Sequence, residues 1–586
     1  MAKIIYVCVR NQEDVPAVKR KVSFITKKLV PDNIPDAECK TAAYGNIVYG
    51  ISTYTKLINE KDGSVCMGLA YPSPEPWYKP LSSPPDGTYA IFRCNEDTIE
   101  CLTDFTGSRS IWYYKDDKIF VAGTSQRAVI TIAGKFELNK KVLPWMLSSG
   151  SLGHLNSWSK DVKSVGLDGA VILNRHTWEL STRQGSVEYV PSKLSDKEIE
   201  EQFKKIVFDS FKNISTDFSQ WLLPMSGGYD SRAIACILKK SGNDISKLET
   251  ITWGTHESRQ DKDSDGYLGV EVSKALNLKN NFYETDKVNE PLEIVFERFI
   301  LCSEGRIDHI LGYTDGLAIW RDIFYSLKQG VIRGDETLGA PAVGSYLRAR
   351  LMGEIKLCTD FSNLEDYEQY GFEKQEMPES YKEIPGEGPD TSKDRLYQEY
   401  RLPNVLPALS DLKFCYTEVL NPFMSRAIVE FSRTIPDHLR ANRVMYKKML
   451  DGISPDVKYA AKKATGKFGN VLTKPEAIRL MLAELKADYM KEIFPEAYIA
   501  KIIGKLEKTH EEKKETIVGK IKGAIRRNMP LFLKELLRKN LPKQTEDNFR
   551  IGFRMYMTGK VYKMFNEDLR QAKELENRAQ LSASIS

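Results

Sequence analysis

One short segment of the chain holds residues whose types and spacing could do chemistry. The stretch LLPMSGGYDSRAIA, residues 222–235, places a Ser-Gly-Gly turn after an apolar run, and an aspartate and a serine open the helical pattern that follows. Glycine lets a backbone approach a ligand closely, and the free N–H groups at a helix N-terminus attract anions. Serine hydroxyls can donate to phosphate oxygens. The segment therefore predicts a pyrophosphate-binding turn formed by Met225, Ser226, Gly227, Gly228, Asp230 and Ser231.

Asp230 brings a negative charge to a turn that would bind phosphate. A carboxylate would repel phosphate unless a metal ion lay between them, and Mg²⁺ prefers carboxylate, water and phosphate oxygens. The turn therefore predicts a site for ATP and Mg²⁺, with Asp230 as a metal ligand. The alternative interpretation is a tight turn in which this aspartate caps the helix. The segment is not a Walker A loop, because the GxxxxGK[ST] spacing is missing.

The segments around this turn alternate between strand and helix patterns. Strand-like WLLPM, ETITWG and NNFYE are separated by the helix-like DSRAIACILKK and YLGVEVSKALNL. Such alternation is typical of βαβ units in a parallel sheet. Beyond residue 290 the pattern is mostly helical, with GEGPDTSKD as a predicted loop. We assign this second domain to residues 195–575 and expect a disordered tail over 576–586.

Residues 1–190 show a different pattern, that of an antiparallel, sheet-rich domain. Short β-branched or aromatic segments are separated by Gly, Asp and Pro, as expected for strands joined by turns. A serine-capped helix is predicted at 192–214, where the second domain begins. The fold class that we predict is therefore an α/β and α+β multidomain protein. The predicted strands are KIIYVCV, TYAIFRC, TIECLTD, SIWYYK, KIFVAGT and GAVILN.

Composition excludes several classes of protein. A chain of 586 residues exceeds the size of a single core. A net charge of +5 is no argument for nucleic acid, and no apolar stretch is long enough to cross a membrane. The nine cysteines are scattered without a CxxC pair, which favours buried, reduced thiols. We therefore expect a cytoplasmic protein that binds neither nucleic acid nor membrane.

These motifs together resemble the asparagine synthetase-like enzymes, which include asparagine synthetase, β-lactam synthetase and the lasso-peptide cyclases. SGGYDSR resembles their pyrophosphatase loop, ETITWG their adenine-holding strand, and VIRGDETLGA a shortened form of their acidic phosphate motif. The stretches 400–436 and 446–468 resemble their helical signature and their lysine-bearing segment. The resemblance covers most of the chain. It implies an Ntn-type, glutaminase-like αββα sandwich followed by an adenine-nucleotide α-hydrolase-like (PP-loop) domain with a helical C-terminal part.

The resemblance also implies roles for residues outside the turn. Asp335 would bind Mg²⁺ together with Asp230, and Glu336 would either assist the metal or act as base toward the attacking amine. Lys463 would face the α-phosphate, with Lys462 as the alternative because the local alignment slips by one residue. The remaining expected nucleotide contacts are Trp253, Gly254, Arg333 and Gly334.

The N-terminus departs from the resemblance. Glutamine-using members begin Met-Cys-Gly and use the processed cysteine as nucleophile, whereas this chain begins with Met, Ala2 and Lys3. Cys8 lies inside a predicted strand and cannot take that role. The stretch around Asp104, Gly107 and Arg109 still resembles the glutaminase-type domain. Because glutamine hydrolysis needs an activated nucleophile, we expect no hydrolysis of glutamine here.

The predicted reaction is the AMP-forming synthesis of an amide bond. A carboxylate would attack the α-phosphate of ATP, release pyrophosphate, and pass its acyl group to an amine. The substrates would carry a carboxylate and an amine, as in a cyclase of a small molecule or of a precursor peptide with its leader-binding and protease partners. A homodimer is compatible with this activity.

Other functions remain open at the level of the sequence. The enzyme could use ammonia to amidate aspartate or a sugar acid. The domain could instead be a nucleotide-binding scaffold without catalysis, which the intact acidic motifs disfavour. Thiolation of tRNA would require a catalytic cysteine pair and a basic RNA platform, and neither is evident.

Overall fold

The structure is a computed structural model and describes residues 2–55, 57–285, 290–351, 364, 367–373, 378–464, 471–511 and 547–585. The strands in these ranges are β1 (Ile4–Val9), β2 (Lys40–Tyr44), β3 (Ile47–Ile51), β4 (Asn59–Lys61), β5 (Ser64–Ala70), β6 (Gly87–Cys94), β7 (Thr98–Thr103), β8 (Ile111–Lys115), β9 (Ile119–Gly123), β10 (Lys163–Val165), β11 (Ala170–Asn174), β12 (Leu180–Arg183), β13 (Trp221–Pro224), β14 (Glu249–Gly254), β15 (Asn280–Glu284), β16 (Gly330–Ile332) and β17 (Glu418–Leu420).

The α-helices of the described residues complete the element order. They are α1 (Val15–Lys28), α2 (Gln126–Ala133), α3 (Val142–Ser149), α4 (Asp196–Lys212), α5 (Asp230–Lys240), α6 (His256–Gln260), α7 (Asp265–Ala275), α8 (Leu292–Ser303), α9 (Ala318–Tyr325), α10 (Tyr346–Leu351), α11 (Pro389–Leu396), α12 (Leu406–Phe414), α13 (Arg426–Ser432), α14 (Asp437–Arg440), α15 (Val444–Asp451), α16 (Pro475–Leu485), α17 (Met490–Ile493), α18 (Glu496–Glu511) and α19 (Asn548–Ile585). A π-helix at Tyr397–Val405 connects α11 to α12.

The N-terminal strands form two antiparallel sheets that pack face to face. Their strand orders are β10-β8-β9-β1-β3-β2 and β12-β11-β7-β6-β5-β4. Alternate residues of β1 point into the space between the sheets, where the Tyr6 ring stacks on Phe92 at 5.5 Å. The intervening β1 residues pack against α1 and α2, which cover the outer face of the first sheet. Each strand segment predicted for this region is confirmed, because period-two alternation marks a strand with two different faces.

The second region is built on a parallel sheet. Its strand order is β15-β14-β13-β16-β17, and each neighbouring pair is parallel. Leu223 and Ile332 face the helices α4 and α5, whereas Leu222 and Val331 face α8 and α12. Both faces are therefore covered by helices, as parallel sheets require. The predicted mixed α/β chain with an antiparallel and a parallel region is confirmed at this level.

The helix that opens the second region shows how the local sequence specifies an element. Ser195 accepts a hydrogen bond from the N–H of Glu198, and the Glu198 carboxylate accepts one from the N–H of Ser195. This capping box satisfies donors that the helix end would otherwise leave unpaired. Ile199 and Phe203 then follow at helical spacing and are buried. The serine-capped helix predicted at 192–214 is therefore present as α4.

Two expectations about the C-terminal half differ from the structure. The predicted loop GEGPDTSKD contains the first turns of α11, because Pro389 at the first helical position is already restrained to helical φ. Helix α19 continues to Ile585, through the segment for which the sequence predicts a disordered tail. This helix packs against α16 and also against the N-terminal region, where Arg127 pairs with Asp568 at 2.5 Å. No helix in the described part of the chain is both long and apolar enough to cross a bilayer.

Candidate functional site

A polar pocket lies at the carboxyl ends of β13 and β16, two neighbouring strands of the parallel sheet. One wall comes from the start of α5, directly after β13, and another from the loop that follows β16. β13 and β16 are neighbours in the sheet. From β13 the chain continues to β14 on one side of this pair, and from β16 it continues to β17 on the other side, so the strand order reverses between them. Ligands of open α/β sheets bind in the crevice at this switch in strand order. The charged side chains that line the pocket are Asp230, Asp335, Glu336, Asp394, Arg401 and Arg443.

The Ser-Gly-Gly turn connects β13 to α5 and is closed by its own hydrogen bonds. The N–H of Ser226 donates to Ser231 Oγ at 3.0 Å, and the N–H of Gly228 donates to Ser226 Oγ at 3.2 Å. The N–H of Gly227 donates to the Asp265 carboxylate at 2.8 Å. An anion that bound to these three N–H groups would have to displace the acceptors that they have in this structure.

The turn is held tightly between two other segments. A Cβ at Gly227 would lie 2.8 Å from the Cβ atoms of both Ala460 and Leu268, so only glycine fits there. The carbonyl of Met225 accepts a hydrogen bond from the Thr252 hydroxyl at 2.9 Å. Close packing of this kind fixes the position of the turn relative to β14.

Asp230 is the first residue of α5 rather than its cap. The N-cap position is Tyr229, and it provides no side-chain hydrogen bond to the helix end. The Asp230 carboxylate instead pairs with the Arg443 guanidinium at 3.3 Å and accepts a hydrogen bond from Tyr446 at 3.3 Å. The alternative interpretation of the motif, an aspartate that caps the helix, therefore does not describe this turn.

Folding brings the two acidic motifs together through one arginine. Arg443 pairs with Asp230 and also with the Glu336 carboxylate, at 2.7 Å. Glu336 is buried, and this burial raises the pKa of its carboxyl well above the usual value. The Arg443 guanidinium opposes that rise, and the nearby Asp230 carboxylate adds to it. Two carboxylates predicted to act together are thus near neighbours, although 106 positions separate them in the sequence.

Asp335 has a cationic partner of its own. The Arg333 guanidinium contacts its carboxylate at 3.3 Å, and the Asp335 charge raises the pKa of Arg333. The predicted contacts Arg333 and Gly334 lie beside Asp230 as well, since a Cβ at Gly334 would be 2.7 Å from the Asp230 Cβ. The acidic motif therefore meets the turn at close range.

A buried lysine near this ion pair was not expected from the sequence. Lys413 on α12 is buried and donates to the Leu409 carbonyl at 3.0 Å. Its Nζ lies 5.7 Å from the ring centre of Trp320 and 6.0 Å from that of Tyr313. Burial lowers the pKa of this ammonium well below the usual value, and the positive charge of Arg333 adds to the shift.

The predicted adenine contacts lie at the end of the neighbouring strand. Trp253 and Gly254 are the last two residues of β14, and the Trp253 ring makes an edge contact with Trp320 at 6.1 Å. The carbonyl of Gly254 accepts a hydrogen bond from the N–H of Thr285, and a Cβ at Gly254 would collide with the Ser258 hydroxyl. Neither residue lines the polar pocket, so the structure places them beside it.

The predicted catalytic lysines lie next to the turn but do not line the pocket. The N–H of Ala460 donates to the Gly227 carbonyl at 3.1 Å, which lays this segment along the turn. The Lys462 ammonium is exposed and pairs with Asp261 at 2.7 Å. Lys463 is also exposed, and residues 465–470, which follow it, lie outside the described ranges.

The segment that carries these lysines is anchored by an arginine that directly follows the turn. Arg232 on α5 is buried and donates to the carbonyls of Val457 and Lys458 at 2.5 and 3.0 Å. Its guanidinium also lies 4.2 Å from the ring centre of Tyr459, which in turn stacks on Tyr229. The arginine next to the turn therefore has a structural role in docking this segment.

Several pocket residues were missed by the sequence analysis. Tyr397 and Arg401 come from the π-helix, and the guanidinium lies 5.9 Å above the tyrosine ring. Asp394 comes from α11 and pairs with Arg440 at 2.7 Å. The sequence assigned no role to any of these residues, although Arg401 lies in the stretch 400–436, and π-helical turns occur frequently at functional sites. Pro403 within this helix is a local signal that could have indicated an irregular backbone.

The donor chemistry of the pocket suits Mg²⁺. This ion is commonly bound by one or two carboxylates together with phosphate oxygens and water. Asp230 and Asp335 supply two carboxylates to the same pocket. Within the described ranges there is no group of three or more His, Cys, Asp or Glu side chains arranged to hold a metal. These are the two carboxylates that the sequence predicts as ligands of the ion, and both line this pocket.

The cysteine in β1 does not have an exposed thiol. Cys8 is buried within that strand, and burial raises the pKa of its thiol to about 12. Arg109, which carried part of the resemblance, forms a buried ion pair with Glu418 of the parallel sheet.

No protein-family model matches this chain, and no curated protein matches it either.

Proposed function

We propose that this chain is an ATP-dependent, AMP- and pyrophosphate-forming amide-bond synthetase of the asparagine synthetase-like class. The observation that supports it most directly is the meeting of two motifs at one pocket. The turn after β13 and the acidic loop after β16 place Asp230, Asp335 and Glu336 together at the switch in strand order. A pyrophosphate-binding turn facing a pair of metal-binding carboxylates is what cleavage between the α- and β-phosphates requires.

In the first step, the substrate carboxylate would attack the α-phosphorus of ATP and displace pyrophosphate. Asp230 and Asp335 would hold Mg²⁺, which neutralises phosphate charge when bound. Ser226 and Ser231 would donate their hydroxyls to phosphate oxygens in place of the 3.2 Å contact that they make with each other. These residues stabilise charge as it develops on the leaving group.

In the second step, an amine would attack the acyl carbon and displace AMP. Glu336 is the base that we assign, because its buried carboxyl has a raised pKa and lies at the pocket wall. A base with such a pKa can accept a proton from the amine near neutral pH. Lys463, with Lys462 as the alternative, remains the lysine proposed to face the α-phosphate.

The N-terminal region would be an Ntn-type domain that does not hydrolyse glutamine. Ala2 stands where a nucleophile is needed, and the nearest cysteine in sequence, Cys8, is a buried thiol. The amine would then come from the substrate itself, as in a cyclase or ligase of a peptide or small molecule. The two layers of antiparallel sheet in this region are compatible with that assignment.

The test is product analysis with the full chain. The protein is incubated with Mg²⁺, labelled ATP and pools of amino acids and short peptides, and the nucleotides are separated. We expect AMP and pyrophosphate in equal amounts with at least one pool, and none after chelation of the metal. ADP and phosphate as the products would assign the chain to another class of ligase and refute the proposal.

A further inference from the structure

The strongest unassigned feature of the pocket is the position of Arg443. Its guanidinium contacts the Asp230 carboxylate at 3.3 Å and the Glu336 carboxylate at 2.7 Å, and its Nε donates to the Gly339 carbonyl at 3.0 Å. One side chain thus bridges the residue that opens α5 to the loop that follows β16. No motif in the sequence points to this residue.

The backbone at this position is strained. Asn442 and Arg443 both have positive φ, at 58° and 59°, and neither is glycine. Such conformations cost free energy, persist only where the surroundings enforce them, and cluster at ligand clamps. Two consecutive residues of this kind indicate that the surrounding structure holds this turn in a strained conformation, as is common at ligand-binding sites.

The surroundings that enforce the turn come from the acidic loop itself. The N–H of Asn442 donates to the Ala340 carbonyl at 2.9 Å, and its side-chain oxygen accepts from the N–H of Ala342 at 3.0 Å. Gly339 has φ of 107°, and a Cβ there would collide with the Arg440 carbonyl. The loop and the turn are locked together, which fixes the guanidinium at the pocket wall.

The charges in the pocket make this arrangement dependent on ligands. Mg²⁺ bound at Asp230 would weaken the contact of this carboxylate with the guanidinium, because the two cations repel each other and share one negative charge. A guanidinium matches phosphate oxygens as well as it matches carboxylates, since its donors form a planar fork. A pyrophosphate bound together with that metal would supply negative charge with which the guanidinium could pair.

We propose that Arg443 is a phosphate-binding residue that exchanges its carboxylate partners for pyrophosphate oxygens when Mg²⁺ binds to Asp230. This inference rests on the proposed function, and it adds a residue and an order of events to it. The arginine neutralises Asp230 and Glu336 before binding, and afterwards it stabilises the leaving group. The ligand class is an inorganic or nucleotide-borne pyrophosphate with a divalent cation.

The test measures two affinities on the full chain by titration calorimetry. The probes are inorganic pyrophosphate with Mg²⁺, and Mn²⁺ alone. Arg443→Ala should weaken binding of magnesium pyrophosphate by about 10- to 100-fold, the loss expected for a charge-assisted contact. The same variant should bind Mn²⁺ alone about as tightly as the wild type or several-fold more tightly, because a competing cation has gone.

The controls separate this role from a structural one. Arg426→Ala removes an arginine of similar exposure, 32% against 26%, that pairs with Asp168 away from the pocket, and it should change neither affinity. Arg443→Lys keeps the charge but cannot span both carboxylates, so it should lie between the wild type and Arg443→Ala. If Arg443→Ala does not fold, the two affinities of Arg443→Lys are compared with those of the wild type instead.

The outcomes discriminate the inference from the proposed function. Equal weakening of both probes by Arg443→Ala would make the arginine a structural residue and overturn the inference. Unchanged binding of magnesium pyrophosphate would overturn it too, while the proposed function would survive on the wild-type affinity. A wild type that binds neither pyrophosphate nor ATP would overturn the proposed function, and the inference would fall with it.

Discussion

Two aspartates in the two regions of this molecule have opposite surroundings. Asp104 in the N-terminal region is buried, and its carboxylate accepts hydrogen bonds from three backbone N–H groups and from two hydroxyls. The donors belong to Tyr89, Thr106 and Ser108. All of the acceptor capacity of Asp104 is used within the protein, so this carboxylate can only hold the loop together.

Asp230 in the second region is about one-third exposed and shares an arginine with Glu336. Its carboxylate contacts Arg443 and Tyr446 at 3.3 Å, which is long for a charge-assisted contact. A carboxylate that is partly exposed and lines a pocket can take a further ligand, whereas a buried carboxylate with five hydrogen bonds cannot. The comparison therefore predicts that hydrogen-bond saturation and burial, rather than residue type, separate a structural aspartate from one that binds a metal.

The largest expected effect comes from removing the open carboxylate. Asp230→Asn should lower the rate of pyrophosphate release by about 10²–10³-fold, because charge stabilisation at the leaving group is lost. Asp335→Asn should behave in the same way. Product analysis gives the rates, and thermal unfolding should show that both variants keep the fold. Normal activity in either variant would show that the replaced aspartate does not bind the metal.

Removing the saturated carboxylate should act on stability instead. Asp104→Ala leaves several buried N–H groups without an acceptor, and we expect a loss of about 3 kcal/mol in the free energy of unfolding. Urea denaturation of this variant and of Asp230→Asn gives the comparison. Asp230→Asn should change the stability by less than about 1 kcal/mol. Equal losses in the two variants would contradict the distinction drawn between the two aspartates.

His154, at the contact between the two regions, should make stability depend on pH. Its ring hydrogen-bonds to the Tyr381 hydroxyl, and burial lowers its pKa to about 4, against 6.5 in the unfolded chain. Between these values the unfolded chain binds the proton and the folded chain does not. Stability should therefore fall by about 2–3 kcal/mol as the pH drops from 6.5 to 4. In His154→Phe the free energy of unfolding should change less between pH 6.5 and 4, as measured by urea denaturation at each pH. An unchanged slope would show that other groups cause the pH dependence.

Lys462 and Lys463, the two lysines next to the turn, should respond differently to substitution, and the difference shows which of them faces the α-phosphate. Loss of Lys463 should slow amide formation by about 10–100-fold if its charge stabilises the transition state. Lys462→Ala should lose only an exposed ion pair with Asp261, which solvent screens, and should leave the activity unchanged. Pyrophosphate exchange separates the first chemical step from the second. An inactive Lys462→Ala beside a fully active Lys463→Ala would shift the assignment by one residue.

The smallest expected effect concerns glutamine. The purified chain should release no glutamate from glutamine, with or without ATP, because Ala2 provides no nucleophile and Cys8 is a buried thiol. An Ala2→Cys variant tests whether the surrounding residues could still support that chemistry. Glutaminase activity in the unmodified protein would contradict the proposed source of the amine.

Part of this site could be predicted because its signals are local. The turn at 226–231 follows an apolar strand and precedes a helix, and all of that information lies within fourteen residues. The acceptor of the Gly227 N–H could not be predicted, because the Asp265 carboxylate reaches it only after folding. Arg443 and Arg401 could not be found, because nothing near them in the sequence shows that they meet a loop about 60–110 residues earlier.

The sequence by itself determined the kinds of element, the order in which they occur and the types of residue at the turn. Periodicity, capping residues and glycines act over a few residues, so they remain visible in the linear chain. Only the tertiary structure decided which strands became neighbours, which carboxylate was saturated and which arginine faced the pocket. These contacts join β13, β16 and the turn before α15, and they form only when distant segments pack against a shared core.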